Sequence, residues 1–408
     1  MDCTLDIFKN LRIAYPTWDA LKVYLVGDGL QIKEETGSNL AIIHYRHGSE
    51  VSEKTKWFRS VVWDTSAHIP VSVSTARAED GTSDPHTWGI DNFVGKTVSE
   101  YLDGVTLNLF TQANSDDIVV SSRTRLGAST GFYNKTSFQQ MLSDAVKAAG
   151  FETVKEFFTK YTEQQQQSRS FLTVLIQHPE HRVVEKVNAA RVYILQSGFV
   201  ADDGVVYITH KPVEELAPAK YSVPVGEEQV NVWFEGLVTG ASKTSPLVSA
   251  LPTVTGNSWS WRGVCIMDMK GHRWRIHSSV YKMIRSMRGN TSRADERFFN
   301  LRAAGMVKTY LQYYPEESNQ FWKYEKWMRS ATKLLYGYYV AVYKSHELML
   351  DCVDARWHTH LGAIHHMYMG HLKPTGNGVH MSHVVNYMNA LPTPRLLFLM
   401  NLDKRHAV

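Results

Sequence analysis

Near Tyr281 the hydrophobic pattern of the chain changes period, and this change constrains the fold more than any other feature. Before it, short β-branched runs such as Leu40 to Tyr45, Ser60 to Trp63, Val105 to Phe110 and Val192 to Ile194 are separated by Gly, Asp and Ser clusters. Runs of that length between turn formers read as strands. After it, ERFFNLRAAGMVKTYLQYYPEE, NQFWKYEKWMRSATKLLYGYYVAVYKSH and VVNYMNAL carry aromatic and aliphatic residues three and four apart, the spacing of amphipathic helices. Pro315 and KPTGNG separate them. The expected architecture is an α+β domain over residues 1–289 followed by an all-helical domain over 290–408, each of ordinary domain size.

Within the first domain one helical insertion stands out. SFQQMLSDAVKAAGFETVKEFFTKY, Ser137 to Tyr161, has apolar residues at helical spacing, with Gly150 as the stop between two helices. The polar EQQQQSRS, Glu163 to Ser170, reads as a loop before a strand that begins near Phe171. Thr239 to Asn257, rich in Ser, Thr, Gly and Pro, reads as a second exposed loop.

Composition excludes several classes. With 43% hydrophobic and 21% charged residues the 408-residue chain is globular in character rather than disordered. No apolar run reaches the length of a membrane span, and MDCTLDIFKNLRIAYP is neither a signal peptide nor a transit peptide, so no membrane partner and an intracellular address are expected. Cys3, Cys265 and Cys352 are too scattered for a disulfide framework or a zinc site. The net charge of +4 is unevenly spread: Arg262 to Lys344 holds 16 Lys/Arg against 6 Asp/Glu, interleaved with Trp and Tyr, a bias that favours an acidic partner.

Five stretches occur in an order that points to nucleotide chemistry. They are WFRSVVWDT (Trp57 to Thr65), EYLDG (Glu100 to Gly104), SSRTRLGA (Ser121 to Ala128), QHPEHRVV (Gln177 to Val184), and WRGVCIMD with HRWRIHSSVYKMIRSMRG (Trp261 to Gly289). Together they resemble the nucleotidyl-transferase motifs of phage-type RNA ligases and their relatives in large DNA viruses: RGxVxD, KxDG, the strand and turn behind the nucleotide, PxNRIV, and EGxV with the KxK strand. The resemblance implies a nucleotidyl-transferase domain of ATP-grasp-like antiparallel sheets. It also implies the chemistry each position serves. A lysine attacks the α-phosphate of ATP, carboxylates hold a divalent metal, and two lysines on the last strand neutralise phosphate charge.

At most of the reacting positions this sequence departs from that pattern. The nucleophilic lysine falls on Tyr101, whose phenol lacks an amine. The glutamate before PxNRIV falls on Leu175, that of EGxV on Arg262, and the paired lysines on Arg275 and His277. Asp103, Gly104, Arg59, Asp64, Pro179 and Arg182 keep their types, but these are turn, strand and scaffold positions. Lys96 lies five residues before Tyr101, outside the register that makes KxDG work. The expectation is a protein with no catalytic residue and no metal or cofactor, ATP and Mg²⁺ entering only if the chain is an active ligase after all.

The arginines suggest what remains. Arg123, Arg125, Arg182, Arg262, Arg273 and Arg275 are candidates to line one phosphate- or RNA-binding cleft, because guanidinium forks suit phosphate. The competing reading is that they pair with carboxylates such as Asp103, Asp64 and Asp268 and fill the vacated site. Two functions follow: an RNA- or nucleotide-binding module, or a structural protein with a protein partner in a viral assembly, in the virion, the viral factory or the host cytoplasm. The histidines of HTHLGAIHHMYMGH, His358 to His371, lack a companion carboxylate or cysteine and are expected to be helix histidines rather than metal ligands.

Overall fold

The computed structural model describes residues 2–81, 96–112, 115, 117–133, 136–162, 169–209, 222–223 and 258–406. The polar stretches at 163–168 and 239–257 lie outside the described residues. The chain divides into two compact units, Met1–Met283 and Ile284–Val408.

The first unit is a mixed α+β assembly of three sheets. The largest has six strands in the order β1-β12-β11-β10-β8-β9: β1 (Asp2–Leu5), β12 (Val206–Thr209), β11 (Arg191–Val200), β10 (Ser170–Gln177), β8 (Val105–Phe110) and β9 (Val119–Ser121). A four-stranded sheet is formed by β2 (Leu30–Glu34), β3 (Leu40–Tyr45), β4 (Val61–Asp64) and β5 (Ile69–Val73) in sequence order. The third has the order β13-β7-β14-β15-β6: β13 (Ser222–Val223), β7 (Lys96–Glu100), β14 (Gly263–Asp268), β15 (Arg273–His277) and β6 (Glu79–Asp80). Among the described strands, all pairings are antiparallel except β15 with β6.

The six-stranded sheet is covered on both faces, and the sequence of β10 shows why. SFLTVLIQ is buried at every position, so it cannot alternate apolar with polar as a one-sided strand would. Phe171 joins a core with Phe110, Trp63, Val62 and Ile42, the four-stranded sheet, and helices α1 (Ile7–Ala14) and α2 (Trp18–Gly27). Leu172, Val174 and Ile176 point to the other face, where Met141, Leu142, Val146, Phe157 and Phe158 pack against them. Those residues belong to α3 (Phe138–Ala148) and α4 (Val154–Thr162), the two helices expected from SFQQMLSDAVKAAGFETVKEFFTKY. Ser137 caps α3 by accepting from Gln140 N at 3.2 Å, and Gly150 ends the first helix with φ of 92°.

The helix α5 (Ser279–Arg288) spans the join at 283/284. The second unit continues with α6 (Ala294–Ala303), α7 (Val307–Tyr313), α8 (Ser318–Tyr343), α9 (His358–Met367), α10 (Met381–Ala390) and α11 (Thr393–His406). The 26-residue α8 is its longest described helix and buries Phe321, Met328, Ala331, Leu335 and Tyr339 at steps of seven, three, four and four residues, along one face. A charged network lies inside this unit. Glu317 accepts from Arg297 at 3.0 Å, from the Tyr310 hydroxyl at 3.0 Å, and from Arg288. No described helix is long and apolar enough to cross a membrane.

Candidate functional site

The Tyr101–Gly104 segment carries the chain from β7 in the five-stranded sheet to β8 in the six-stranded one. It is anchored at both ends. The Tyr101 amide donates to Gly263 O at 2.8 Å. At the other end Gly104 passes so close to β10 that a Cβ there would lie 2.5 Å from Ile176 O and 2.7 Å from Leu175 Cδ2. The Asp-Gly pair thus meets a packing demand. Leu175 packs with Leu102 and Tyr193 in an apolar cluster.

Asp103 is buried and acts as a clamp. One carboxylate oxygen accepts from the amides of Val184 and Glu185 at 2.9 and 3.1 Å, and the other accepts from the Tyr281 hydroxyl at 2.7 Å. Its carbonyl accepts from Gln177 Nε2 at 2.7 Å. EYLDG, QHPEHRVV and the start of α5 are therefore brought to one point by a single carboxylate. Buried carboxylates survive desolvation when their lone pairs are filled in this way.

Around Tyr101 stand cations and aromatic rings. The Arg262 guanidinium lies 3.8 Å from the Tyr101 ring centre and 5.8 Å from that of Tyr281. It donates to Leu102 O at 2.8 Å and sits 3.9 Å from Asp103; its buried Nε has no acceptor among the described residues. The His277 ring is 5.2 Å from Tyr101 and stacks on Tyr281 at 6.0 Å with planes 7° apart. Arg273, Arg275 and His277 alternate along β15 and so share one face of it. Arg275 forms a two-pronged pair with Asp80 at 2.8 and 3.1 Å, made possible by the parallel β15–β6 contact.

Two further guanidiniums donate to neutral acceptors among the described residues. Arg59 donates to Thr75 Oγ1 at 2.8 Å and Thr106 Oγ1 at 2.9 Å. Arg273 reaches Ala76 O and Cys265 Sγ, each at 3.4 Å. Among the described residues, the ion pairs of these four arginines are those of Arg275 with Asp80 and of Arg262 with Asp103. The electrostatic consequences are visible at each titratable group. Burial pushes the Arg59 guanidinium down, and the like charge of Arg273 adds to this, leaving it at about 10. Burial pushes the Tyr101 phenol up, but Arg262, Arg275, Arg59 and Arg273 outweigh it and the net displacement is downward. Burial and the charges of Arg262, Arg275 and Lys282 drive His277 down to about 4, so its imidazole is neutral at pH 7.

Of the six arginines expected in one cleft, Arg262, Arg273 and Arg275 share this cluster. Arg123 instead lies 5.0 Å over the ring of Tyr45, which Arg77 also covers at 4.1 Å. Arg125 is exposed on the turn after β9. Arg182 is buried, donates to Val184 O at 3.0 Å and faces the Trp259 ring at 5.7 Å. The carboxylates also differ from the expected set. Asp64 caps a turn through Ser66 and Ala67, and Asp268 pairs with His272 at 3.1 Å. Asp80, Tyr281 and the cationic role of Arg59 were not singled out from the sequence. The alternation in RWRIH was the available signal for a one-faced cationic strand.

Lys96 lies at the far end of β7, paired with Asp268, whereas Tyr101 meets Gly263. Five strand residues separate them by roughly 16 Å along the strand. Among the described residues no group of three or more His, Cys, Asp or Glu is placed to hold a metal. The C-terminal histidines are spread over separate contacts: His358 to Val353 O at 2.7 Å, His360 to the Tyr387 hydroxyl at 2.8 Å, and His365 stacked on Tyr343 at 4.1 Å.

No protein-family model matches the chain, and no curated protein matches it. Among solved structures, one from Aquifex aeolicus bearing the description "Putative ATP-dependent DNA ligase" is 11% identical with a TM-score of 0.38, over 95% of this chain and 80% of that one.

Proposed function

We propose that this chain has an RNA-ligase-type nucleotidyl-transferase fold that has lost its covalent chemistry and binds the phosphates of RNA or a nucleotide through the arginines around Tyr101. The ligase-type fold is suggested by the order of the five sequence motifs. The loss of chemistry is suggested by Tyr101, Leu175, Arg262, Arg275 and His277 standing at the reacting positions. The observation that carries the binding reading is the cationic crowding: among the described residues Arg59 and Arg273 donate to neutral acceptors, while Arg262 and Arg275 lie beside Asp103 and Asp80. Like charges held together against mutual repulsion are stabilised by an anion placed between them.

A second reading is a structural platform in a viral assembly, a setting that rests on the sequence resemblance alone. The pairing of Arg275 with Asp80 and of Arg262 with Asp103 favours it, since filled ion pairs need no ligand. Titrating a short 5′-phosphorylated RNA, and separately ATP, into the protein at low salt separates the two. Binding of either supports the phosphate site. Absence of binding of both, where phosphate contacts are strongest, leaves the platform.

A further inference from the structure

The second unit carries a separate feature that the arginine cluster does not explain. Residues 284–408 hold 16 Lys/Arg against 9 Asp/Glu, while residues 1–283 hold 28 against 31. The basic character of the whole chain therefore resides in the helical unit. Part of that charge is locked inside the Arg288–Glu317–Arg297 network. Part of the rest lies exposed on α8, and there it is ordered.

Trp322, Lys326, Arg329 and Lys333 follow one another at steps of four, three and four residues, opposite the buried Phe321, Met328, Ala331 and Leu335 face. Trp322 is 62% exposed, unusual for the largest apolar side chain. Lys326 lies over its ring at 5.2 Å. Trp322 also forms the wall of a groove of about 660 Å³ whose other lining includes Phe298, Leu311, Phe321 and Lys308. Arg302 and Glu325 in the same wall neutralise each other at 3.2 Å. Lys308, Lys326 and Lys333 are exposed and have no ion-pair partner among the described residues.

We infer that this groove and the adjoining α8 face bind single-stranded nucleic acid, with a base stacked on Trp322 and the backbone following Lys308, Lys326 and Lys333. An exposed ring flanked by unpaired lysines offers both halves of that recognition, a π-face for any base and charge for phosphate. The groove is within the size range of small-ligand sites and admits one nucleobase with its sugar. The surplus of seven positive charges in the unit excludes a basic partner and matches a polyanion. The inference does not rest on the phosphate site around Tyr101, whose residues lie in the other unit.

The test uses the full chain, a 12-nucleotide single-stranded RNA and the same sequence as a duplex. Trp322→Ala is expected to weaken single-strand binding about five- to hundred-fold, the worth of one stacked base. Trp322→Phe should retain most of the affinity, and the duplex, with its bases already paired, should bind weakly. Because Trp322 is exposed, unchanged thermal melting of the variant is expected and separates lost stacking from lost fold. Unchanged affinity in Trp322→Ala overturns the inference and identifies a face suited to an acidic protein segment; equal binding of duplex and single strand overturns it as well. Repeating the Trp322→Ala comparison in an Arg59→Gln/Arg273→Gln background distinguishes the two sites. A Trp322 effect that persists there supports this groove even where the arginine cluster binds nothing.

Discussion

The neutral His277 beside Arg262 and Arg275 makes the first unit sensitive to acid in a way that can be calculated. Its ring is held at about 4, against an ordinary value of 6.5, because burial and the neighbouring cations oppose a further charge. Below pH 6.5 the unfolded chain takes up this proton while the folded chain does not until about pH 4. Stability is therefore unaffected by this group above pH 6.5 and is lost progressively down to about pH 4. The full displacement corresponds to about 3 kcal/mol, and solvent screening of a partly exposed ring reduces this to about 1–2 kcal/mol. His277→Phe is the informative perturbation: it keeps an aromatic ring against Tyr101 and Tyr281, and the buried Nδ1 it removes has no partner among the described residues. Urea unfolding of both proteins at pH 7, 5.5 and 4.5 should show the wild type losing about 1–2 kcal/mol more than the variant on acidification. Taking the difference cancels carboxylates and histidines elsewhere in the chain. Identical acid dependence in the two proteins would refute the claim that cations crowd this ring.

Other consequences follow from the same contacts. Spectrophotometric titration at alkaline pH, taken as the difference between wild type and Tyr101→Phe, should show one phenol ionising below the usual tyrosine range, and Arg262→Gln should move it back upward. Glu317→Gln removes the carboxylate that buried Arg288 and Arg297 share and should destabilise the second unit by about 3–5 kcal/mol, read from its urea midpoint. Incubation with radiolabelled ATP and Mg²⁺ should give no protein-linked nucleotide; a labelled band lost on Tyr101→Phe or Lys96→Ala would return the chain to the active enzymes.

How much of this was legible beforehand depended on the range of the interaction. Local patterns carried the strands at Leu40–Tyr45 and Val105–Phe110, the paired helices around Gly150 and the helical second unit, because alternation and three-to-four spacing are imposed by neighbours in sequence. The arginine cluster was legible in part. RWRIH puts Arg273, Arg275 and His277 on one side of any strand, but nothing local shows that Asp80, almost two hundred residues away, will meet Arg275 through a parallel pairing. Arg182 illustrates the opposite error: an arginine that donates to the carbonyl two residues on looks, in sequence, the same as one awaiting a phosphate. Arg59 reads as a scaffold residue until β5 and β8 supply Thr75 and Thr106 as its neutral partners from beyond the strand end and within the strand. The clamping role of Tyr281 was not legible, because it depends on the hydroxyl reaching Asp103 across 178 positions.

The central claim is that the guanidiniums of Arg59 and Arg273, which donate to neutral acceptors among the described residues, take up phosphate. It is tested most directly by the salt dependence of single-stranded RNA affinity in the wild type and in Arg59→Gln/Arg273→Gln. Each phosphate contact to a single strand contributes a slope of about −0.7 in log affinity against log salt. The double variant should bind more weakly at low salt, with a slope shallower by about 1.4. Equal affinity and equal slope in the two proteins, both remaining folded, would contradict the phosphate site and leave the cluster as internal packing.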